Sequence, residues 1–180
     1  APRRAAMLRT AIQTNKQREL SYVRQATIDA LTGCKNRRAF DSDIAALMND
    51  HQPFALALVD IDNFKSINDT WGHLNGDIVL RNVAREGLQV LQPLEISLYR
   101  YGGEEFAVVF PAEHIDNART LLETWRINVE RRTWREDGLT VTFSAGLGEW
   151  NMEPLDKLVV SVDEALYKAK QQGKNRILRA

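Results

Sequence analysis

The chain has 180 residues, 44% of them apolar, and a formal net charge of zero. This length suits one domain with an appendage, large enough to fold without disulfide or metal staples. The single cysteine, Cys34, excludes an internal disulfide, favours a reducing compartment and is interpreted as inert packing. No apolar run approaches the roughly 20 residues of a membrane span, and no signal-peptide pattern is visible. We therefore expect a cytoplasmic domain, free or as the cytoplasmic part of a membrane-anchored protein.

The net charge of zero is unevenly distributed, because the first 38 residues, the basic leader, are strongly positive. Residues 1–38 carry nine Lys and Arg against Glu19 and Asp29, which leaves the rest of the chain acidic. Such a leader is typical of contact with membranes or nucleic acid, or of a solvated helix face, which we favour. Nucleic-acid binding is disfavoured because Tyr22 is the only aromatic residue of the leader. Because the chain begins APRR without a methionine, we expect a piece of a longer protein.

The first predicted element is a helix from residue 3 to about residue 28, a stretch without glycine. Its thin apolar stripe consists of Leu8, Ile12, Leu20, Val23 and Leu31. The polar residues 13–19 interrupt the stripe, so no strict coiled-coil heptad holds. The helix cannot bury its stripe alone, so we expect it to pair with a second copy or to dock on the domain.

The rest of the chain alternates helical and strand patterns. The predicted elements in order are a helix after Gly33, a buried strand in PFALALVDID, a short helix broken at Gly72 and Gly76, a helix from near Asp77 to Pro93, hairpin arms ISLYRY and EFAVVF, a helix at 114–132, a strand in LTVTFSAGLGEW, a helix from Pro154 to Gly173, and a closing strand RIL. Because a tight turn joins two adjacent strands, the sheet is at least partly antiparallel and the class is α+β.

The stretch RYGGEEFAVVF places two glycines and two carboxylates inside a strand pattern. Gly102 and Gly103 suit a tight hairpin, because both can adopt φ > 0. Glu104 and Glu105 stand where the next strand begins, a position that disfavours glutamate. They are either solvated turn residues or functional carboxylates.

A second acidic cluster ends the first predicted strand. Asp60 and Asp62 face one way and Ile61 the other, and carboxylates at the end of a buried strand are costly without a partner. Asp60 and Glu104 on neighbouring strands would form a seat for a hard divalent cation. The alternative is two unrelated solvated strand ends. The presence of both clusters favours the metal.

Polar residues between the two clusters suit a nucleotide. Lys65 could offset phosphate charge, whereas Asn68 and Asp77 are equally typical of caps and turns. His73 lacks a metal-ligand partner at suitable spacing, so we favour a structural role. Near the end of the chain, YKAKQQGKNR supplies basic residues that either complement the helix dipole or neutralise triphosphate oxygens.

Four motifs together resemble the GGDEF family of bacterial diguanylate cyclases. They are DALTGCKNRRAF, DIDNFKSINDTWGHLNGD, RYGGEEF and AKQQGKN, and the match runs in order from Asp29 to Leu178. The resemblance implies a nucleotidyl-cyclase-like fold with a ferredoxin-like core, in which helices flank a five-stranded, largely antiparallel sheet. It also implies condensation of two GTP molecules into cyclic di-GMP with release of pyrophosphate.

The resemblance assigns the catalytic carboxylates by motif position. Asp60 and Glu104 are implied as ligands of Mg²⁺, with Mn²⁺ as an alternative, and the backbone carbonyl of Ile61 assists. Glu105 is implied either as a further metal ligand or as the group that helps to deprotonate the attacking 3′-hydroxyl.

The resemblance also assigns the substrate contacts. Asn68 and Asp77 are implied to read guanine, whose N1–H and N2–H a carboxylate can accept, so we expect GTP over ATP. The remaining implied substrate contacts are Lys170 and Lys174 at the phosphates, Phe64 and Lys65 beside them, and Gly102 and Gly103 at the turn on which the nucleotide rests.

Joining two nucleotides requires two sites that face each other, so we expect a homodimer with twofold symmetry. Residues 29–180 are then the catalytic domain. Residues 1–28 are a signalling and dimerisation helix, through which an upstream sensor domain would act.

The chain departs from the family pattern in three places. Many relatives carry an Arg-x-x-Asp product-inhibition site, but the matching residues here are Pro93 and Ile96. We therefore expect no strong feedback through that site. Cys34 replaces an apolar residue, and Lys174 replaces an arginine often found there, which keeps the charge but loses the bidentate fork.

Two other functions compete with an active cyclase. One is a catalytically dead GTP-binding or effector module, disfavoured because Asp60, Glu104 and Glu105 are all present. The other is a cyclase that makes a different or mixed dinucleotide, against which Asp77 argues without excluding promiscuity.

Overall fold

The computed structural model describes residues 2–180, apart from the side chains of Pro2 and Gln25. The helices are α1 (Pro2–Thr27), α2 (Arg37–Asn49), α3 (Phe64–Trp71), α4 (His73–Leu91), α5 (Ala118–Glu130) and α6 (Leu155–Gln171). The strands are β1 (Phe54–Ile61), β2 (Ser97–Arg100), β3 (Glu105–Pro111), β4 (Phe143–Glu149) and β5 (Ile177–Arg179).

The strands form one sheet in the order β2-β3-β1-β4-β5. β1 lies at the centre and pairs antiparallel with β3 and β4, β2 pairs antiparallel with β3, and β5 pairs parallel with β4. This five-stranded, largely antiparallel sheet with flanking helices confirms the predicted α+β class and the predicted hairpin.

The central strand β1 is buried on both faces because its side chains alternate between two cores. Ala55, Ala57, Val59 and Ile61 pack in the core that α4 and α5 cover. The residues between them belong to the opposite core, under α2 and α6: Phe54, Leu56 and Leu58. Asp60 continues this second row, so the alternation directs its carboxylate to the face that α6 covers.

Two predicted boundaries are corrected around glycine. Gly72 breaks the helix as predicted: it has φ +86° and separates α3 from α4. The predicted break at Gly76 is wrong, because Gly76 lies buried within α4. A Cβ there would overlap Asn68 Oδ1, so this glycine provides space rather than ending a helix.

Two predicted elements are shorter than expected. The helix predicted at 114–132 is a 3-10 turn at Ala112–His114 followed by α5. The strand predicted from LTVTFSAGLGEW is regular only from Phe143, which pairs with Ile61, the last residue of β1. Residues before Phe143 therefore have no β1 residue to pair with along a regular ladder.

Helix α1 extends from the domain without docking on it. Residues 3–24 are exposed, including most of the predicted stripe; Leu20, for example, is 58% exposed. The prediction that this helix docks on the domain is therefore wrong for residues 3–24. Leu31, the last residue of the predicted stripe, lies beyond α1 and packs against the core. No helix within residues 2–180 combines the length and apolar character needed to cross a membrane.

Candidate active site

The structure brings the two acidic clusters together. Asp60 on β1 is directly opposite Glu105 on β3, and opposed residues share a face of the sheet. The Ile61 N–H donates to the Glu104 carbonyl at 3.3 Å, which ties the two strand ends together. The Ile61 side chain is buried, so only its backbone could serve a ligand.

Lys170 of α6 lies against this carboxylate pair. Its Nζ is 3.2 Å from Asp60 Oδ1, and both side chains are largely buried. Burial raises the pKa of Asp60, Lys170 opposes the rise, and the charges of Glu104 and Asp62 add to it. Burial likewise raises the pKa of Glu105, followed by the charges of Asp60 and other carboxylates. The site therefore concentrates negative charge that one lysine offsets in part.

The two glycines of the turn do not adopt the left-handed backbone predicted for them. Neither Gly102 nor Gly103 has a positive φ, so the turn does not depend on left-handed backbone at these positions. A Cβ on Gly102 would lie 2.8 Å from Glu105 Oε2, whereas a Cβ on Gly103 would meet nothing within 4 Å. Gly102 therefore makes room for Glu105, and Gly103 leaves open space beside the carboxylates.

Asn68 and Asp77 are brought together by the turn between α3 and α4. Asn68 lies against Gly76, the residue before Asp77, and the Phe64 ring lies near the same glycine. Asn68 Oδ1 is buried and has no hydrogen-bond partner among the described residues. An unpaired buried acceptor is costly, so this atom has the properties expected of a ligand contact.

The basic residues surround the start of α3. Lys65 is exposed in its first turn, and Lys174 Nζ donates to Asn63 Oδ1 at 2.6 Å just before it. Lys170 faces Asp60 instead. A helix N-terminus flanked by lysines suits an anion, because its first N–H groups lack partners within the helix.

Asn63 and Asn175 are structural parts of the site that the sequence did not predict, and the sequence singled out Asp62 without predicting its partners. Asp62 is buried and accepts hydrogen bonds from Ser144 Oγ, Thr142 Oγ1 and the Asn175 N–H. The polar run GKN after α6 was noted for its charge, and its asparagine was the available signal.

The donor set fits a hard divalent cation. Among the described residues, no group of three or more His, Cys, Asp or Glu side chains is arranged to hold a metal ion. Asp60 and Glu105 are nevertheless two opposed carboxylates with raised pKa values, with Glu104 beside them. Oxygen ligands of this kind suit Mg²⁺, which commonly uses one or two carboxylates and completes its shell with water and substrate phosphates.

Comparison with known proteins shows the family to which the chain belongs. The family model "Diguanylate cyclase, GGDEF domain" matches residues 26–176. The chain belongs to the GGDEF family, as its four motifs predict. It is similar to the diguanylate cyclase VdcA of Vibrio cholerae, with 38% identity over 169 residues that cover 91% of this chain and 50% of that protein. The diguanylate cyclase DgcM of Escherichia coli K12 is 38% identical over 176 residues, covering 94% and 42% respectively.

Two solved structures share the fold. The coiled coil and GGDEF domain of DgcB from Caulobacter crescentus, in complex with c-di-GMP, matches with a TM-score of 0.86 and 34% identity, over 98% of this chain and 97% of that one. The diguanylate cyclase SiaD, in complex with its activator SiaC from Pseudomonas aeruginosa, matches with a TM-score of 0.81 and 32% identity, over 99% and 72%. The chain spans half or less of the two curated relatives named above.

Proposed function

We propose that this domain condenses two GTP molecules into cyclic di-GMP and releases pyrophosphate. The observation that carries the proposal is the register of the sheet, which sets Asp60 directly opposite Glu105 beside the Gly102–Gly103 turn. A strand pair that concentrates carboxylates beside open space, next to lysines, suits a nucleotide with its metal. Membership of the GGDEF family supports the synthesis of cyclic di-GMP as the specific reaction.

In this proposal Mg²⁺, or Mn²⁺ as an alternative, would be held by Asp60, Glu104 and the backbone carbonyl of Ile61, and Glu105 would serve either as a further ligand or as the base. When bound, the metal would lower the pKa of the 3′-hydroxyl and stabilise charge on the phosphoryl oxygens. Where Glu105 does not bind the metal, its carboxylate, opposite Asp60 in the strand pair, would instead accept the proton of the 3′-hydroxyl that attacks the α-phosphate of the second GTP.

Asn68 and Asp77 would select guanine. The unpaired Asn68 Oδ1 can accept from a base N–H group, and the Asp77 carboxylate can accept from N1–H and N2–H. Adenine presents a bare N1 acceptor at this edge, so it would leave Asp77 facing another acceptor. A mispaired buried edge gives strong discrimination.

The phosphates would lie at the start of α3. The first-turn N–H groups, including that of Phe64, are oriented for an anion, and Lys65 and Lys174 flank them. The Phe64 side chain packs against the core, so its contribution would be its backbone. The Lys170 ammonium would contact both Asp60 and a phosphate oxygen.

A homodimer is part of the proposal, because one such site presents one nucleotide and two ester bonds must form. The exposed apolar residues of α1 suit pairing with a second copy, and an upstream sensor would act through this helix. We propose a cytoplasmic location, where GTP is available. Activity per mole of enzyme should rise with protein concentration, and a proven monomer with constant specific activity would contradict the dimer.

We propose that cyclic di-GMP does not strongly inhibit this domain through the Arg-x-x-Asp site of its relatives. Pro93 and Ile96 stand where relatives place Arg and Asp; Pro93 is exposed in a 3-10 turn and Ile96 is buried. Neither side chain can pair with phosphate or guanine. Titration of cyclic di-GMP into the reaction should leave the rate unchanged at micromolar product. Micromolar inhibition that is lost when residues 93–96 are replaced would contradict this.

The proposed function is tested by incubating the purified protein with GTP and Mg²⁺ and identifying the products by chromatography and mass. We expect cyclic di-GMP and pyrophosphate, and no product from Glu104→Gln. Glu113→Gln removes an equally charged but exposed side chain and should retain activity. Binding of GTP without product would instead identify a dead binding module, and a mixed product from GTP plus ATP would identify a promiscuous cyclase.

A further inference from the structure

The Asp62 carboxylate is fully committed to hydrogen bonds within the protein. Its Oδ1 accepts from Ser144 Oγ at 2.7 Å, and its Oδ2 accepts from Thr142 Oγ1 at 2.8 Å and from the Asn175 N–H at 3.0 Å. Only 3% of the residue is exposed. A buried carboxylate is costly unless donors satisfy it, and here the donors are Ser144 of β4, Thr142 just before that strand, and the turn after α6. Asp62 therefore has a structural partner set that Asp60, two residues earlier, does not share.

The turn that Asp62 contacts has an unusual backbone. Gly173, Lys174 and Asn175 have φ values of +119°, +64° and +48°. Left-handed backbone is unfavourable for a lysine, so neighbouring contacts must hold this conformation. The bond from the Asn175 N–H to Asp62 is one such contact, and the bond from the Lys174 N–H to the Ala169 carbonyl is another.

Arg126 of α5 holds the same turn from its other side. Its Nη1 donates to Asn175 Oδ1 at 2.8 Å, while ion pairs with Glu123 and Glu130 on the same helix fix the guanidinium. The Arg126 side chain is only 15% exposed. We call Asp62, Asn175 and Arg126 the Asp62 relay.

The turn that the Asp62 relay contacts carries the Lys174 side chain. Lys174 reaches across to Asn63 Oδ1, at the N-terminal end of α3. The position of this ammonium depends on the left-handed turn, because a different φ at residue 174 would direct the side chain elsewhere. Arg126 has no part in the carboxylate cluster, so its effect on the site passes through Asn175.

We propose that the Asp62 relay positions the Lys174 ammonium at the phosphate-binding end of α3, and so sets the affinity for GTP without taking part in the chemistry. The proposal rests on the proposed function for the identity of the ligand. It makes Asp62 a positioning residue and not a metal ligand, although it lies in the same acidic motif as Asp60. Loss of the relay should therefore raise KM and leave kcat in place.

The test compares Arg126→Gln, Asn175→Ala and the double variant with the unchanged protein. The affinity for 3′-deoxy-GTP, which binds but lacks the attacking hydroxyl, is measured by calorimetry with Mg²⁺, and KM and kcat are measured with GTP. Each single variant should raise Kd and KM roughly three- to tenfold, the effect of one lost hydrogen bond. The double variant should match Asn175→Ala, because both changes remove the same bond.

Arg132→Gln is the matched control. Arg132 also joins the α5 region to another element, through Glu86 and Asn82 on α4, but it has no contact with the turn at residues 173–175. It should lower Tm and leave Kd unchanged. An equal rise in Kd in Arg132→Gln, or an unchanged Kd in Arg126→Gln, would overturn the proposal.

Asp62→Asn separates positioning from metal binding. The amide oxygen can still accept from the Asn175 N–H, so the Kd for 3′-deoxy-GTP should stay as it is, and removing the Asp62 charge near Asp60 should change kcat and the Mg²⁺ requirement only modestly. Loss of kcat together with a shifted Mg²⁺ requirement would make Asp62 a metal ligand and overturn the proposal. If the unchanged protein binds 3′-deoxy-GTP but makes no product, a raised Kd in Arg126→Gln still supports the relay while the proposed function fails.

Discussion

Asp29, in the turn after α1, accepts hydrogen bonds from Arg100 Nη1 at 3.2 and 3.3 Å. Arg100 ends β2, and its Nε and Nη2 donate to the Gly103 carbonyl at 3.3 and 3.0 Å. The end of α1 is thus joined by two side chains to the residue before Glu104. Movement of α1 could reach the carboxylates along this path.

Asp29→Asn should lower kcat by about tenfold, the usual effect of losing an outer support of an active site. The amide keeps an acceptor for Thr32, which Asp29 also binds, so the turn should still fold. The control is Asp41→Asn, which breaks an exposed ion pair with Arg37 on α2. The kcat of each variant is measured by steady-state kinetics at one protein concentration, chosen so that the dimer is fully formed. Equal kcat in the two variants would contradict the link.

Asp77→Ala should reduce the preference for GTP over ATP, expressed as the ratio of kcat/KM values, by at least about tenfold. The reason is that the alanine removes the acceptor that guanine satisfies and adenine does not. Asp69→Ala is the control, because Asp69 is an exposed carboxylate of α3 next to Asn68. An Asp77→Ala protein that still strongly prefers GTP would show that another group reads the base.

Gly103→Ala should raise KM for GTP by at least about tenfold, since even a small obstruction displaces the reacting groups. The added Cβ meets no protein atom within 4 Å, so Tm should change by no more than about 2 °C. Gly102→Ala is the contrast, because its Cβ would crowd Glu105 in the free protein. An unchanged KM in Gly103→Ala would place the nucleotide elsewhere.

Glu105→Gln should stabilise the metal-free protein at neutral pH. The pKa of Glu105 is raised above the ordinary 4.5, so ionisation costs more in the folded state and stability falls as pH rises through this pKa. Glutamine has no such ionisation cost, so the Tm of Glu105→Gln at pH 7–8 with a chelator should be higher than that of the unchanged protein. The advantage should vanish near pH 4, where the glutamate is protonated in both states. A difference that grows as pH falls would have the wrong sign.

The carboxylate site could be predicted from sequence because local rules determine it. An apolar run that ends in Asp60, and a hairpin whose second arm begins at Glu105, place both residues at strand ends. The antiparallel sheet then sets them opposite each other. Helix α1 was predictable for the same reason, since 26 residues without glycine carry a helical pattern.

Other features depend on contacts between residues far apart in sequence. Gly76 was misinterpreted as a helix break because its reason, the approach of Asn68, is visible only in three dimensions. The hydrogen bond between Asp62 and Asn175 joins residues that are 113 positions apart in the sequence, so no local sequence pattern predicts it. The turn glycines do not adopt the left-handed backbone predicted for them. Residue 102 is instead constrained by Glu105, whose side chain a Cβ at that position would crowd.

A crystal grown with 3′-deoxy-GTP and Mn²⁺, examined by anomalous scattering, tests the central claim most directly. We predict a manganese peak within about 2.0–2.5 Å of carboxylate oxygens of Asp60 and Glu104, with nucleotide phosphate completing its ligands. The start of α3 should then contact the phosphates. A peak elsewhere, or nucleotide bound with Asp60 and Glu104 both remote from metal and phosphate, would contradict the account.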